Sequence, residues 1–394
     1  MSTGKEIFKK HQAQTFPFPS CLEIESAKGS YIYDINGKAY LDFVAGVSAN
    51  TLGHANPIIT NAVKEQLDKY THVMVYGEYI QSPQYKLAQL LADNLPESLS
   101  TTYFVNSGTE AIEGAMKLAK RATGRSEIIS CKDSYHGSTQ GALSIMGNED
   151  HKAKYRPLLP HCNQIIFNDE NSFDNITKKT AAVVIELIQG GTGFITITNN
   201  FLNKVRERCN ETGTLLIFDE IQTCYGRLGT LFGFEKYDII PDILCIAKGM
   251  GGGMPIGAFI SSWELMNLLT FEPKLGHITT FGGHPIIASA ALANLKETLE
   301  SGILESINSK EQLIRNLLKH RYIEEIRGRG IMLALIISSK EIAKQLILNA
   351  LKSKLILFGL LFEPKAVRIT PPLTISNKEL KIGCQIIIDE LNSL

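Results

Sequence analysis

Short apolar runs alternate with helical segments through the middle of the chain, and this alternation restricts the possible folds more than any other feature. Strand-length apolar runs occur at residues 102–105, 128–129, 164–167, 182–186, 215–218 and 243–247. Amphipathic helices are expected between them at 109–121, ending near Gly124, and at 201–212. Because strands that alternate with helices pair mostly in parallel, the sequence predicts an α/β protein with a large, mainly parallel sheet and helices on both faces.

The segments that flank this region have a different character. Residues 1–30 mix polar and apolar residues with prolines, which indicates an extended arm, and residues 31–43 predict a hairpin with an Asn36-Gly37 turn. Helices are expected at 57–67, with Asn56 as the N-cap, at 82–95, from Pro285 into the three hundreds, at 340–353 and at 377–391, and strands at 331–337 and 367–370. We therefore predict a large domain at 58–290 and a smaller α+β domain at 291–394, to which residues 1–57 also belong.

The charge balance and the cysteines exclude several classes of protein. The 394 residues contain 40 Lys and Arg against 40 Asp and Glu, and this balance favours neither nucleic acid nor an anionic membrane as a partner. No apolar run reaches the ~20 residues of a membrane helix, and the first residues lack the apolar core of a signal peptide. The seven cysteines are widely spaced without a CxxC pair, so we expect reduced thiols in a cytoplasmic protein and no metal site.

Lys248 lies between an apolar run and a glycine-rich loop. The run 243–247 predicts a buried strand, and the carboxyl end of such a strand is where open α/β sheets bind ligands. A partly desolvated amine at this place has a lowered pKa and can form a Schiff base with a carbonyl, such as the aldehyde of pyridoxal phosphate. On this stretch alone, a surface lysine at the start of a loop is an equally good interpretation.

A second candidate site is the turn at residues 106–110, which joins a predicted strand to a predicted helix. Ser107, Gly108 and Thr109 would present backbone N–H groups and hydroxyls at the positive end of the helix dipole, which suits a dianion such as phosphate. Residues 279–285 add further hydroxyls and glycines before another predicted helix. An ordinary helix N-cap is the alternative interpretation of the first turn.

Residues with useful side chains also follow the neighbouring strands. Tyr135 could stack on a planar cofactor, and Glu186 and Asp219 place carboxylates at two strand ends. A buried Asp needs a cationic partner, and a pyridinium N–H would supply one. Because Asp219 and Lys248 end consecutive strands, both would point into one crevice. A core aromatic and a turn-capping Asp are the alternatives.

Arg368 lies in a mostly apolar run before Pro371. A guanidinium there could bind a carboxylate through two parallel hydrogen bonds, or it could be a solvent-exposed residue of an edge strand. His136, next to Tyr135, is compatible with a packed histidine. Taken together, the candidates place a Schiff-base lysine, a phosphate site, a stacking aromatic and a pyridine-facing Asp in one α/β domain.

With these residues, the chain resembles the class III aminotransferases, the fold-type I pyridoxal-phosphate enzymes that include acetylornithine, ornithine and 4-aminobutyrate aminotransferases. The resemblance extends over nearly the whole chain, from Tyr31 to Leu373. Its motifs are Asn-Ser-Gly-Thr-Glu-Ala at 106–111, Phe-Asp-Glu-Ile-Gln at 218–222, Ala-Lys-Gly at 247–249 and Thr-Thr-Phe-Gly-Gly at 279–283. It implies the fold-type I architecture and pyridoxal 5'-phosphate as the cofactor.

The resemblance also implies a role for each candidate residue. Lys248 would hold the cofactor as a Schiff base and then move protons as general base and acid, and Asp219 would bind the pyridine nitrogen. Arg368 would bind a substrate carboxylate, such as that of 2-oxoglutarate. The other positions would contact the cofactor: Tyr135 by stacking, Ser107, Gly108 and Thr109 at the phosphate, Gln222 at the phenolic oxygen, Glu186 beside Asp219, and Thr280 at the phosphate of the neighbouring subunit. The family's homodimer would therefore have shared active sites.

Several positions depart from the pattern of the family. Ser138 stands where acetylornithine and ornithine aminotransferases usually have an arginine that holds a substrate carboxylate. Gly191 stands where many members have a glutamate, which in some pairs with the arginine matching Arg368, and His284 replaces a frequent asparagine. Leu187, where proline is usual, is a tolerable change. The resemblance therefore implies intact cofactor chemistry with an altered substrate pocket.

The sequence thus predicts a pyridoxal-phosphate-dependent aminotransferase whose partners are small molecules and a second copy of itself. It would move an amino group, including an ω-amino group, from a donor such as ornithine, acetylornithine or 4-aminobutyrate to 2-oxoglutarate by a ping-pong reaction. An aminomutase or racemase of the same fold is the alternative within this class. A non-catalytic protein with a relict site is the alternative outside it.

Overall fold

The structure, a computed structural model, describes residues 3–394 and contains four sheets with helices packed around them. The strands are β1 Ile24–Lys28, β2 Tyr31–Asp34, β3 Ala39–Asp42, β4 Thr101–Val105, β5 Glu127–Cys131, β6 Cys162–Ile165, β7 Thr180–Glu186, β8 Ile188–Gln189, β9 Ile195–Thr196, β10 Leu215–Asp219, β11 Ile243–Ala247, β12 Gly257–Ser261, β13 Ile323–Arg329, β14 Met332–Ile337, β15 Leu355–Ile356, β16 Phe358–Gly359 and β17 Ala366–Ile369. The right-handed α-helices are Gly4–His11, Pro57–Leu67, Ser82–Ala92, Gly108–Thr123, Gln140–Ser144, Glu149–Lys152, Asn199–Thr212, Trp263–Asn267, Pro285–Glu300, Ile307–Leu317, Lys340–Lys352 and Asn377–Asn392.

The largest sheet has seven strands in the order β4-β12-β11-β10-β7-β5-β6. Strands β11, β10, β7, β5 and β6 pair in parallel, and β12 is antiparallel to both of its neighbours. Along β7, Val183 and Ile185 face one apolar core while Ala182 and Val184 face another, because side chains alternate between the two faces of a sheet. The helix Asn199–Thr212 packs on the first face and Gly108–Thr123 on the second, which confirms the α/β prediction.

The remaining strands form smaller sheets that join both ends of the chain. Strand β3 pairs in parallel with β15, and a second four-stranded sheet has the order β13-β14-β17-β16. One apolar core contains Phe43 from the N-terminal part together with Leu333 and Ile387 from the C-terminal part. This packing agrees with an N-terminal segment that belongs to the smaller unit, while the domain bounds at 57 and 290 stay predictions. In the described residues, no helix is long and apolar enough to cross a membrane.

The structure corrects the sequence predictions in several places. The N-terminal arm is wrong as an extended segment, because Thr3 and Glu6 form a capping box that starts the helix Gly4–His11. Strand β12 was not predicted, and β6 begins and ends two residues before the predicted 164–167. The helix at 82–95 ends at Ala92, and the helix that starts at Pro285 ends at Glu300, where Gly302 has a positive φ of 69° and a second helix follows.

Candidate active site

A cavity of about 560 Å³ opens at the carboxyl ends of the parallel strands. Of the ten predicted site residues, nine line it: Ser107, Gly108, Thr109, Tyr135, Glu186, Asp219, Gln222, Lys248 and Arg368. The tenth, Thr280, lies outside the cavity with an exposed side chain. The cavity has the size of a site for a cofactor and a small substrate.

Lys248 follows β11 directly and has a positive φ of 42°. A non-glycine residue in this region is strained, and the surrounding contacts have to hold it in place. Asn294 does so from the helix Pro285–Glu300, because its Nδ2 donates to the backbone oxygens of Gly249 at 2.8 Å and Met250 at 3.1 Å. Burial lowers the pKa of the Lys248 amine, and the nearby carboxylate of Asp219 opposes that shift. The shift makes the neutral, nucleophilic form of the amine easier to reach than in an exposed lysine.

Asp219, at the end of β10, is held by two hydrogen bonds. Its Oδ2 lies 2.7 Å from Nδ1 of the buried His136, and its Oδ1 accepts from the backbone N–H of Ile221 at 3.0 Å. Burial alone would lower the pKa of His136, but the hydrogen bond to Asp219 and its charge reverse this, and the net pKa is raised. His136 therefore belongs to the site, although nothing in the residues around it favours this role over that of a packed histidine.

Glu186 and Asp219 are paired residues of the adjacent strands β7 and β10. Burial raises the pKa of Glu186 to about 7, and the neighbouring Asp219 adds to the increase. The Glu186 carboxylate accepts from the backbone N–H groups of Tyr135 at 3.0 Å and Gly190 at 2.8 Å. It thereby fixes the loop that carries Tyr135, whose hydroxyl lies 3.2 Å from Oγ of Ser138.

The predicted phosphate site is the N-terminus of the helix Gly108–Thr123. Ser107 is the N-cap, and its Oγ accepts from the backbone N–H of Glu110 at 3.4 Å. A Cβ atom at position 108 would lie 2.8 Å from the Ile221 side chain, so glycine is required there. Free backbone N–H groups and the positive end of the helix dipole thus face the cavity, which suits an anion.

Gln222 contacts a left-handed turn that the sequence did not predict. Residues Ala45, Gly46, Val47 and Ser48 have φ values of 50°, 60°, 60° and 69°. The carboxylate Oδ1 of Asp42 accepts from the N–H groups of Val44 at 2.8 Å and Ala45 at 3.0 Å, which holds the start of the turn. The turn places Val47 against the cavity and the buried Ser48 against Gln222, whose Nε2 donates to Oγ of Ser48 at 3.3 Å.

Arg368 is an unpaired cation in the wall of the cavity. Only 6% of it is exposed, and its Nε and Nη1 have no hydrogen-bond partner among the described residues. Its guanidinium lies 5.2 Å from the centroid of the Phe194 ring, and burial lowers its pKa to about 10. A buried guanidinium without a partner is costly, so an anionic ligand would stabilise it.

Position 191 has no room for an acidic side chain that could pair with Arg368. A Cβ atom at 191 would lie 2.4 Å from the Phe362 ring, and the N–H of Phe362 donates to the oxygen of Gly191 at 2.9 Å. The aromatic ring therefore occupies the space that a side chain at 191 would need. His284, a further departure from the family pattern, stacks on His72 with a centroid distance of 5.2 Å.

The residues that line the cavity fit pyridoxal phosphate, the cofactor that the sequence predicts. A lysine amine of lowered pKa, a fixed carboxylate, an anion-binding helix end and a tyrosine line one cavity, and glycine leaves the helix end accessible. These residues fit the aldehyde, the ring nitrogen, the phosphate and the ring of that cofactor. The chemistry of the donor set thus agrees with the cofactor that the sequence predicts.

Comparison with known proteins gives the same answer. The family model "Aminotransferase class-III" matches residues 13–391. An acetylornithine aminotransferase of Methanopyrus kandleri is 36% identical over 394 residues, which is 99% of both chains. A [LysW]-aminoadipate semialdehyde/glutamate semialdehyde transaminase of Sulfolobus acidocaldarius is 35% identical over 80% of this chain and 81% of its own. The ornithine aminotransferase structure from Toxoplasma gondii superposes with a TM-score of 0.91 at 26% identity, covering 100% of this chain and 96% of that one.

The chain belongs to the class III aminotransferases. It is therefore an enzyme that depends on pyridoxal phosphate, and the fold-type I architecture predicted from the sequence is confirmed. The family assignment makes the chain an enzyme and contradicts the interpretation as a non-catalytic relict.

Proposed function

We propose that the enzyme moves the terminal amino group of a small amino acid or amine to 2-oxoglutarate. Donors of the ornithine, acetylornithine and 4-aminobutyrate type fit this proposal, and the two half-reactions would follow a ping-pong order. The observation that carries it is Arg368, a buried guanidinium without a partner that lines the same cavity as Lys248. It supplies the cation that a 2-oxo acid requires for its carboxylate.

Lys248 would carry out the proton transfers. When bound, pyridoxal phosphate supplies an aldehyde carbon that condenses with amines and a ring that withdraws electrons. The lowered pKa of Lys248 would make its Nζ available to take a proton from the carbon next to the donor nitrogen. Nζ would then return the proton at the former aldehyde carbon of the cofactor. Its place at the end of β11 directs the amine into the cavity.

The other residues would orient the cofactor. Asp219, held by His136 and by the N–H of Ile221, would face the ring nitrogen and favour its protonated form. The N-terminus of the helix Gly108–Thr123 would bind the phosphate, and the ring of Tyr135 would cover one face. Gln222 would lie at the phenolic oxygen, and Glu186 would lie beside Asp219, its partner on the adjacent strand.

The donor side of the cavity has no second fixed cation at position 138. Ser138 ends in a hydroxyl that contacts Tyr135, so it offers a donor and an acceptor rather than a charge. The cavity lining also includes the apolar residues Val47, Ile188 and Leu361. We therefore expect that a donor needs no α-carboxylate at position 138, so 4-aminobutyrate and simple diamines should compete with ornithine.

A homodimer with shared sites is part of the proposal. Thr280 is exposed beside Phe281, of which 53% is accessible, and Ile80 is 93% accessible. Contiguous patches of apolar side chains that face water are typical of surfaces that a partner covers. A second copy covering this surface would bring Thr280 to the phosphate site of the other subunit. The seven free cysteines suit a reducing cytoplasm.

A donor panel with 2-oxoglutarate as acceptor tests the proposal. The purified protein should absorb visible light as a yellow enzyme and should form glutamate only when a donor is present. A Lys248→Ala protein that turned over donor at the wild-type rate would contradict the role of the lysine. Turnover without any added oxo acid would favour the aminomutase or racemase instead, and a strong preference for N-acetylornithine over all other donors would refute the predicted donor range.

A further inference from the structure

Three side chains beside the phosphate site form a hydrogen-bonded chain. The hydroxyl oxygens of Thr109 and Thr139 lie 2.6 Å apart, and the Thr139 hydroxyl lies 2.6 Å from Oε1 of Glu113. The same Oε1 accepts from the backbone N–H groups of Gly141 at 2.8 Å and Ala142 at 3.1 Å. Each link is short enough to require a hydrogen atom between its two oxygens.

Counting hydrogen atoms sets the direction of this chain. A carboxylate only accepts hydrogen bonds, so the hydrogen between Glu113 and Thr139 belongs to the Thr139 hydroxyl. A hydroxyl has a single hydrogen, and Thr139 therefore has none left for Thr109. The hydrogen between the two threonines must come from Thr109, whose oxygen also accepts from the backbone N–H of Thr139 at 3.4 Å.

Ser107 is in the opposite situation. Its oxygen accepts from the backbone N–H of Glu110, which leaves its own hydrogen free to donate into the cavity. We propose that Ser107 is the hydroxyl donor to the cofactor phosphate, while Thr109 contributes its backbone and not its hydroxyl. Thr139 and Glu113 then act as positioning residues that hold the Thr109 side chain. This inference rests on the proposed function, in which the residues at 107–109 bind the phosphate.

The packing around Thr109 agrees with a fixed hydroxyl. Gly137 has a φ of 130°, and a Cβ atom there would lie 2.2 Å from Oγ1 of Thr109. The backbone of the loop that carries Tyr135 thus rests directly on the Thr109 side chain. The hydrogen-bonded chain thereby connects the phosphate site to the loop of the stacking tyrosine.

Cofactor affinity distinguishes the two hydroxyls. The dissociation constant for pyridoxal phosphate is measured on the full-length chain after removal of the cofactor, with pyridoxal, which lacks the phosphate, as the control ligand. Ser107→Ala should raise the constant for pyridoxal phosphate roughly tenfold to a hundredfold, as expected for a lost hydrogen bond to a charged group, and leave that for pyridoxal near its original value. Thr109→Val should raise it by less than about threefold, because no phosphate hydrogen bond is lost.

Thr139, whose side chain is exposed, gives a second test that does not depend on a buried substitution. Thr139→Val removes the acceptor of the Thr109 hydrogen, so Thr109 becomes free to donate to the phosphate. The affinity for pyridoxal phosphate should then rise severalfold, and this gain should disappear when Thr109→Val is added. Glu113→Gln keeps an acceptor oxygen for Thr139 and should behave like the wild type.

Two results would overturn the assignment. One is a Thr109→Val chain that loses as much phosphate-specific affinity as Ser107→Ala. The other is a Thr139→Val effect of the same size with and without the Thr109 hydroxyl. If the wild-type chain bound pyridoxal phosphate no more tightly than pyridoxal, the phosphate site itself would be wrong, and that outcome is distinct from both.

Discussion

Arg368 offers a test in which stability and substrate binding are expected to change in opposite directions. Burial lowers the pKa of its guanidinium from the ordinary 12.5 to about 10, which corresponds to roughly 3 kcal/mol against the charged form in the folded chain. The contact with the Phe194 ring at 5.2 Å offsets about 1 kcal/mol of this. Arg368→Met keeps most of the volume and removes the charge, so the cofactor-free chain should gain about 2 kcal/mol in free energy of unfolding.

The same substitution removes the cation that faces the cavity. A truncated partner of a buried charge pair typically loses about 2 to 5 kcal/mol of binding, which corresponds to a fall of roughly 30-fold to several thousandfold in kcat/KM for 2-oxoglutarate. A diamine donor has no carboxylate for Arg368, so its half-reaction should change much less. The loss should therefore be confined to substrates that have a carboxylate for Arg368 to bind.

Urea unfolding and half-reaction kinetics measure the two effects, and two variants serve as controls. Arg368→Lys keeps a charge and should give no gain in stability. Arg315→Met removes a paired arginine, whose Nε lies 2.9 Å from Oε1 of Glu311 and whose guanidinium donates to the oxygen of Gly328 at 2.8 Å, and it should lower stability. An Arg368→Met chain that unfolds more easily than the wild type, while Arg315→Met behaves as expected, would refute the reasoning.

Three further predictions concern residues around the cavity. His136→Phe removes the hydrogen bond to Asp219, so kcat should fall roughly tenfold or more with little change in the KM of the donor, and an unchanged kcat would contradict this. Ser48→Ala removes the acceptor of Gln222 and should weaken cofactor binding about fivefold; equal affinities in a cofactor titration would argue against it. Burial raises the pKa of Glu220 to about 7, so its contribution to stability is present in full below about pH 4.5 and is lost as the pH rises through 7. In Glu220→Gln the free energy of unfolding, measured with urea, should no longer fall by roughly 3 kcal/mol across this interval, and an unchanged dependence on pH would show that another group causes it.

The cofactor side of the cavity follows from local sequence rules. Lys248 and Asp219 each end an apolar run of strand length, and parallel neighbours bring such ends to one edge of the sheet. Ser107 precedes a helical segment, where a short hydroxyl side chain is typical of an N-cap. Strand β12 also has a signal, an apolar run at 257–261 directly after the glycine-rich loop. These features need only the residues next to them in the chain.

The residues that the sequence did not assign act over long separations. His136 meets Asp219 across 83 positions, Asn294 holds Gly249 across 45, and Ser48 meets Gln222 across 174. Histidine, asparagine and serine occur in many structural settings, and periodicity does not distinguish these from others. Their roles become visible only when the tertiary contacts bring the partners together.

The shape of the substrate side of the cavity also depends on contacts between residues that are far apart in the sequence. Val47 reaches it because residues 45–48 adopt a left-handed turn that costs about 1 to 2 kcal/mol for each residue other than glycine. Gly191 leaves Arg368 without an acidic neighbour because Phe362, from a distant loop, fills the space. A change in either segment would reshape the donor pocket without altering any cofactor residue. The cofactor chemistry can therefore stay constant in such a chain while the choice of donor changes, which is why a donor panel is more informative here than a further test of the cofactor.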